Sequence, residues 1–318
     1  MAKPVVLMMG KGTNRVRERI GGHFELVDAV DGRAPEGREG DIEAVASSFG
    51  RCDAAFIDSM PRLKVVANYG VGYDNVDAKH AASKGVIVTH TPNVLNDEVA
   101  NTAILLLLAT DRKLVAYDRY VREGRWESDG AAPLTRGVRG KRVGIVGLGR
   151  IGATIAEKLQ NCFGAEIAYH SRSKKDEPYP YYADLVEMAR DSDALIVVTP
   201  GGPATEKLVS REVMEALGPE GTLVNIARGT VVDEAALVEL LQSGKLGAAG
   251  LDVFEKEPKV PDALKGMTEN VVLAPHIGSA TRETRAAMGD LMVDNAIAVS
   301  KGEKPITPVP ECRHLVDG

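Results

Sequence analysis

The stretch Arg142-Val143-Gly144-Ile145-Val146-Gly147-Leu148-Gly149-Arg150-Ile151-Gly152 constrains this chain more than any other. An apolar run of strand length enters three glycines spaced G-x-G-x-x-G, and helix-forming residues follow from Ala153 to Leu159. Each glycine has its own physical task. Gly147 allows a tight turn, Gly149 lets the backbone approach a pyrophosphate closely, and Gly152 permits close packing of helix on strand. The start of the helix then offers unsatisfied N–H groups and a positive dipole end to phosphate oxygens. A strand before, a helix after and a further strand at Glu166 to His170 favour a dinucleotide-binding βαβ unit over a mere glycine-rich turn. Leu148, Arg150 and Ile151 complete its loop.

The rest of the chain repeats this alternation. Strand candidates in the first hundred residues are Val5 to Met9, Ala54 to Ile57, Val65 to Asn68 and Val86 to Thr89. Helical spacing runs from about Val99 through Val121. A second series of strands then covers Arg142 to Val146, Glu166 to His170, Ala194 to Thr199, Thr222 to Ile226, Gly247 to Asp252 and Val271 to Ala274. A last helical stretch, about Glu283 to Val299, precedes the Pro-containing tail from Pro305. Such alternation predicts the α/β class with doubly wound parallel sheets. The 318 residues are enough for two domains at roughly 150 residues each.

Composition narrows the function. A net charge of −6, with one Trp, eight Tyr and five Phe, runs against a general nucleic-acid binder, which needs clustered cations and stacking surfaces. The longest strongly apolar run, Ala103 to Ala109, is far below the roughly 20 residues of a membrane span. Cys52, Cys162 and Cys312 are odd in number and show no metal-ligand spacing, which predicts reduced thiols and no metal site. With no apolar leader at Met1, a cytoplasmic location is expected.

About twenty residues after the glycines, where NAD-preferring proteins carry an acidic residue for the adenosine ribose, this sequence reads Tyr169-His170-Ser171-Arg172-Ser173-Lys174-Lys175. Hydroxyls and cations there suit a 2′-phosphate, with Arg172 as the main contact and Ser171 and Ser173 beside it. A solvated basic loop is the plain alternative. The expectation is NADP(H), with NAD(H) possible.

Three polar residues stand where later strands end: Arg228 in Asn225-Ile226-Ala227-Arg228-Gly229, Glu257 in Asp252-Val253-Phe254-Glu255-Lys256-Glu257-Pro258, and His276 in Ala274-Pro275-His276-Ile277-Gly278. Ligands of open α/β sheets collect at that edge. Reduction of a carbonyl leaves charge on oxygen, which a positioned imidazolium can neutralise by giving a proton. A carboxylate beside the ring favours its charged form and fixes its orientation. An Arg fork can hold a carboxylate and polarise a carbonyl.

With GLGRIG, NIARG, LDVFEKEP and APHIGSAT in place, the chain resembles the D-isomer-specific 2-hydroxyacid dehydrogenases over nearly its whole length. Asn68-Tyr69-Gly70-Val71-Gly72-Tyr73-Asp74-Asn75-Val76-Asp77 resembles the glyoxylate/hydroxypyruvate reductase branch. The resemblance implies two Rossmann-like domains: a discontinuous substrate domain of residues 1–99 plus 284–318, and a dinucleotide domain of 100–283. It assigns Arg228 to the 2-oxo acid, Glu257 to supporting the histidine and His276 to proton transfer. It further implies that backbone N–H groups of Val71 and Gly72 receive the substrate carboxylate, the alternative being a plain loop. Asp252 and Thr102 match contacts to the nicotinamide end, Thr199 and Ile226 match strand-end cofactor contacts, and Gly278 is counted with them. A homodimer is the family expectation.

Two departures limit the substrate assignment. Thr135 stands where some eukaryotic hydroxypyruvate reductases have a Trp that reaches a neighbouring subunit, and the single Trp here is Trp126. The length leads us to expect no regulatory extension of the kind some phosphoglycerate dehydrogenases carry after Gly318. Side chains near Ser48, Phe49 and Tyr73 are expected to set pocket size. The resulting expectation is NADPH-dependent reduction of a small 2-oxo acid to the D-2-hydroxy acid. The alternatives are a non-catalytic dinucleotide-sensing interaction protein and a dehydrogenase of a sugar acid or phosphorylated hydroxy acid.

Overall fold

Short apolar runs buried on both faces form parallel strands, because helices on either side leave the central strands no wet face. The computed structural model describes residues 3–48 and 50–316, so Phe49, expected to help shape the pocket, lies outside the described residues. The chain divides into two compact units, Met1–Leu95 with Thr281–Gly318, and Asn96–Ala280. The breaks fall a few residues before the expected 99/100 and 283/284. One helix already starts at Asn96, and the last helix takes its cap from Thr281.

In the first unit, β1 (Val5–Met9), β2 (Glu25–Asp28), β3 (Ile42–Ser47), β4 (Val65–Asn68) and β5 (Ile87–Thr89) lie in the order β2-β1-β3-β4-β5. Every neighbouring pair is parallel. Alternate side chains feed two cores. Leu7, Met9, Val45, Val66 and Val88 pack with Val309 and Cys312 on one face. Val6, Met8, Ala44, Ala46 and Ala67 pack with Met292, Val293 and Ala296 of the helix Arg282–Ser300 on the other. Residues beyond Thr281 thus complete this unit, and the Val309 N–H donates to the Val88 carbonyl at 3.0 Å.

Ala54–Ile57, expected as a strand, is instead the body of the helix Ala54–Asp58, because the Asp53 carboxylate accepts from the Phe56 N–H at 3.0 Å and caps it. A four-residue apolar run carries no period that separates strand from helix. Neither β2 nor β3 stands out in the sequence. β2 is an edge strand with one buried residue among four, and β3 reads Ile42-Glu43-Ala44-Val45-Ala46-Ser47, with alanines where strand formers are usual.

The second unit holds β6 (Arg142–Val146), β7 (Glu166–His170), β8 (Tyr181–Tyr182), β9 (Ala194–Val197), β10 (Thr222–Asn225), β11 (Ala248–Leu251) and β12 (Val271–Leu273). Among the described residues they form one parallel sheet in the order β12-β11-β10-β9-β6-β7-β8. Chain direction across the sheet reverses between β6 and β9, which opens a crevice above their carboxyl ends. The two-residue β8 makes seven strands where six are expected; it is too short to leave a pattern. The helix expected over 99–121 is two helices, Asn96–Asp111 and Leu114–Arg122, separated at Lys113, whose φ is +49°. Apolar spacing continues through the break. The cause is Asp111: its fully buried carboxylate bonds to Lys141 and to the Thr222 hydroxyl, fixing the end of the first helix.

Among the described residues no helix is long and apolar enough to cross a membrane. Replacing the cap Asp53→Ala should cost about 1 kcal/mol, read as a lower urea midpoint by far-UV circular dichroism. An unchanged midpoint would deny the helix at 54–58 its cap.

Candidate active site

The phosphate loop assigns its glycines opposite surroundings. A Cβ on Gly147, where φ is +105°, would lie 2.8 Å from the Cα and N of Thr199. One on Gly152 would meet the Gly147 carbonyl oxygen at 2.2 Å, so helix and strand touch there. Around Gly149 a Cβ would meet nothing within 4 Å. That residue caps the helix Arg150–Phe163 without a side-chain hydrogen bond, leaving the first N–H groups for a ligand. Leu148 is buried, Ile151 half-buried and Arg150 exposed. This combination of an open cradle and an uncapped helix start fits a dinucleotide pyrophosphate.

The loop after β7 is ordered from below by two tyrosines. The Tyr169 hydroxyl accepts from the Lys175 N–H at 2.7 Å, and the Tyr181 hydroxyl donates to the Ser171 carbonyl at 3.3 Å. Ser171 bonds the Ser173 carbonyl at 2.6 Å, while Arg172 and Lys174 are exposed. No carboxylate pairs with Arg172 among the described residues.

The ends of β10, β11 and β12 bring Arg228, Glu257 and His276 into one cluster. The His276 Nδ1 lies 2.8 Å from the Glu257 Oε2, and the Phe254 N–H donates to the Oε1 at 3.1 Å. Burial works to raise the Glu257 carboxyl, but the His276 bond, the Phe254 N–H and the Arg228 charge outweigh it and hold the group below its usual range. An ionised carboxylate only accepts, so the bond to it is donated by Nδ1. Nε2 remains as the ring atom for substrate. Arg228 leaves β10 through a turn closed by Asn225, whose amide donates to the Arg228 carbonyl at 3.0 Å and accepts from the Ala227 N–H at 3.0 Å.

Asp252 fixes the histidine turn. Its carboxylate oxygens accept from the N–H groups of Ile277 at 2.6 Å and Gly278 at 2.8 Å, and its carbonyl from the His276 N–H at 2.9 Å. Burial pushes its carboxyl up, against the two N–H bonds that favour the charged form. Thr102 donates to the carbonyls of Glu98 at 3.1 Å and Gly278 at 3.3 Å, and Ile226 would lie 3.3 Å from a Cβ on Gly278. Thr102, Ile226, Asp252 and Gly278 therefore meet around one turn, while Thr199 stands apart against Gly147.

Val71 and Gly72 belong to the other unit, in the loop after β4. The carbonyls of Gly70 and Gly72 accept from Asn68 at 3.0 and 2.9 Å, and the Val71 carbonyl from His90 at 2.9 Å. Sequence reasoning missed Asn68, Tyr169, Asn225 and Gly229. A Cβ on Gly229 would fall 1.9 Å from the Phe254 carbonyl carbon, so only glycine lets the Arg228 turn lie on the chain that carries Glu257. The Asn-x-x-Arg-Gly spacing is the signal that could have revealed two of the four.

The family model for the NAD-binding domain of D-isomer-specific 2-hydroxyacid dehydrogenases matches residues 104–278. The chain is 46% identical to an NADPH-dependent glyoxylate/hydroxypyruvate reductase from Sinorhizobium meliloti, solved in complex with NADP and malonate; the likeness has a TM-score of 0.93 and covers 98% of each chain. It is 50% identical over 266 residues to a hydroxyphenylpyruvate reductase of Plectranthus scutellarioides, covering 83% of this chain and 84% of that protein. A glyoxylate reductase of Thermococcus onnurineus is 42% identical over 323 residues and 96% of each chain. A domain model spanning more than half the chain, over the segment that holds the phosphate loop and the three strand-end side chains, makes this protein a member of the D-isomer-specific 2-hydroxyacid dehydrogenases.

Proposed function

We propose that the protein is an NADPH-dependent reductase of small 2-oxo acids of the glyoxylate and hydroxypyruvate type, giving the D-2-hydroxy acid where a stereocentre forms. The 2.8 Å bond between His276 Nδ1 and Glu257 carries this reading. A protein that only sensed a dinucleotide would need the phosphate loop but not a carboxylate-held imidazole at the sheet edge. The relatives support the substrate class, and the S. meliloti structure with NADP supports the cofactor.

Gly147, Gly149 and Gly152 would hold the pyrophosphate, and Ser171, Arg172 and Ser173 the 2′-phosphate. The bound cofactor supplies the hydride. Thr102, Thr199, Ile226, Asp252 and Gly278 are proposed to shape its nicotinamide end, Asp252 mainly by holding the turn. Arg228 binds the substrate carboxylate and polarises the adjacent carbonyl, while the N–H groups of Val71 and Gly72 receive the carboxylate. His276 gives the proton on Nε2 to the carbonyl oxygen as charge develops there, and keeps the one on Nδ1 because Glu257 holds it.

The segment 105–134 presents Leu105, Leu114, Val115, Val121, Trp126 and Leu134 to solvent, from 44% exposed at Val115 to 100% at Leu134. A surface depression lined by Ile104, Leu105, Leu108, Cys162 and Phe163 adjoins it. So much exposed apolar surface in one stretch favours association, and we assign it to a homodimer. Unpaired Cys52, Cys162 and Cys312 favour a reducing, cytoplasmic location.

With glyoxylate or hydroxypyruvate, His276→Gln should lose about 10²- to 10⁴-fold in turnover while still binding NADPH; near-normal turnover would reject the mechanism. Arg172→Ala should weaken NADPH binding about tenfold, since one charge-assisted bond is worth about 1.5–3 kcal/mol, and leave NADH binding alone. Equal NADPH affinity in that variant would remove Arg172 from the site. Light scattering should give twice the 33.9 kDa chain mass; a monomer at micromolar concentration would refute the dimer.

A further inference from the structure

The loop after β4 is held almost entirely by its carbonyls. Three successive ones converge on two adjacent residues: the Tyr69 carbonyl accepts from the Thr91 hydroxyl at 2.9 Å, that of Gly70 from the Thr91 N–H at 3.0 Å, and that of Val71 from the His90 Nδ1 at 2.9 Å. A single amide, Asn68 Nδ2, adds bonds to the Gly70 and Gly72 carbonyls at 3.0 and 2.9 Å. Asn68 is 4% exposed, so its amide is largely shielded from solvent. The His90 ring is braced edge-on by Tyr73, centroids 5.5 Å apart. A carbonyl can only accept, so Nδ1 of His90 carries the proton in this bond.

In a planar trans peptide the C=O of one residue and the N–H of the next point in opposite directions. Fixing the Gly70 carbonyl therefore aims the Val71 N–H away from Asn68 and Thr91, and fixing the Val71 carbonyl aims the Gly72 N–H away from His90. Neither N–H donates to any group among the described residues. Successive backbone donors held in this way make an anion-binding concavity.

We infer that Asn68, assisted by His90, is a positioning residue for substrate: by gripping the carbonyls of residues 70–72 it presents the N–H groups of Val71 and Gly72 to the carboxylate of a 2-oxo acid. This rests on the reading of those two N–H groups as the carboxylate receiver. The Asn68 amide is spent on the carbonyls of Gly70 and Gly72, so on this inference its removal acts on substrate affinity rather than on the chemical step.

The test is steady-state kinetics with glyoxylate, alongside NADPH affinity, for Asn68→Ala, Asn68→Asp and Gly72→Pro. Asn68→Ala should raise KM about tenfold, the scale of a lost charge-assisted contact, with kcat changed less than about threefold and NADPH affinity unchanged. Asn68→Asp keeps the shape but turns an acceptor toward two carbonyl oxygens, so it should raise KM at least as much as the Ala variant. A space-filling role predicts the reverse order, and wild-type KM in Asn68→Asp overturns the inference. Gly72→Pro deletes a proposed donor directly. If it raises KM and the Asn68 variants do not, the positioning role falls and the carboxylate receiver stands; if none of the three raises KM, both fall. Should the Asn68 variants fail to fold, His90→Phe keeps the ring against Tyr73 and removes one grip. It should then raise KM with NADPH affinity intact, and an unchanged KM counts against the proposal.

Discussion

The histidine proposed as proton donor sits on a backbone that does not favour it. His276 has φ of +53°, in the left-handed region that costs a residue with a Cβ roughly 1–2 kcal/mol. Asp252 makes that conformation stable: one buried side chain gathers the N–H groups of Ile277 and Gly278, and its carbonyl takes that of His276. Hydrogen bonds to a charged group contribute about 1.5–3 kcal/mol each, so two of them outweigh the strain. The turn in turn sets where the imidazole stands, and Glu257 sets which way it faces. Without Asp252 the Glu257 bond would have no fixed ring to act on.

Glycines then decide what can approach what, by opposite means. At Gly152 and Gly229 the missing Cβ is filled by other backbone, the Gly147 carbonyl in one case and the Phe254 carbonyl in the other. These are closures, and they set the spacing between elements. At Gly149 the missing Cβ leaves open space beside an uncapped helix start. The helices starting at residues 14, 54, 78, 185, 211, 234 and 282 take a side-chain cap from Thr, Asp or Ser, which satisfies their first donors internally, whereas those at Leu114, Arg125 and Asp262 lack one but do not follow a strand through a glycine loop. The helix at Arg150 withholds that cap, and the withheld cap is what a phosphate can replace.

The sequence was most readable where chemistry needs a fixed residue type at a fixed spacing. GLGRIG and the strand ends that carry Arg228, Glu257 and His276 could be placed because a motif or a strand boundary marks them, and the basic stretch at Arg172 because it follows β7. Local geometry without such a mark stayed hidden. Ala54–Ile57 offered an apolar run but not the Asp53 cap as a deciding signal, β3 was disguised by alanines, and the break at Lys113 was masked by apolar spacing on both sides of a buried Asp111. Asn68 and Gly229 were hidden for further reasons. Gly229 packs on Phe254, far along the chain, and no local pattern encodes that meeting, while the Asn68 amide bonds its own loop at Gly70 and Gly72 without a motif that marks it.

A net charge of −6 opposes, as a bulk quantity, a protein that handles a phosphorylated cofactor and a carboxylate substrate. The two are compatible because the proposed anion contacts are local, and those at the phosphate loop and at Val71 and Gly72 are uncharged backbone N–H groups. A guanidinium such as Arg228 or Arg172 attracts an anion over several ångströms and can adjust its long side chain to meet it. A backbone N–H carries only a partial charge on a group with no freedom of its own, so it contributes only if it already points at the anion. Arg172 and Arg228 sit on exposed or half-buried turns, while each carbonyl from Tyr69 to Gly72 in the other unit is held by a hydrogen bond, the condition its proposed role as a donor loop requires. Rigidity is the condition under which neutral donors do the work of a cation, and it adds no charge to repel a second anion or to attract a wrong one.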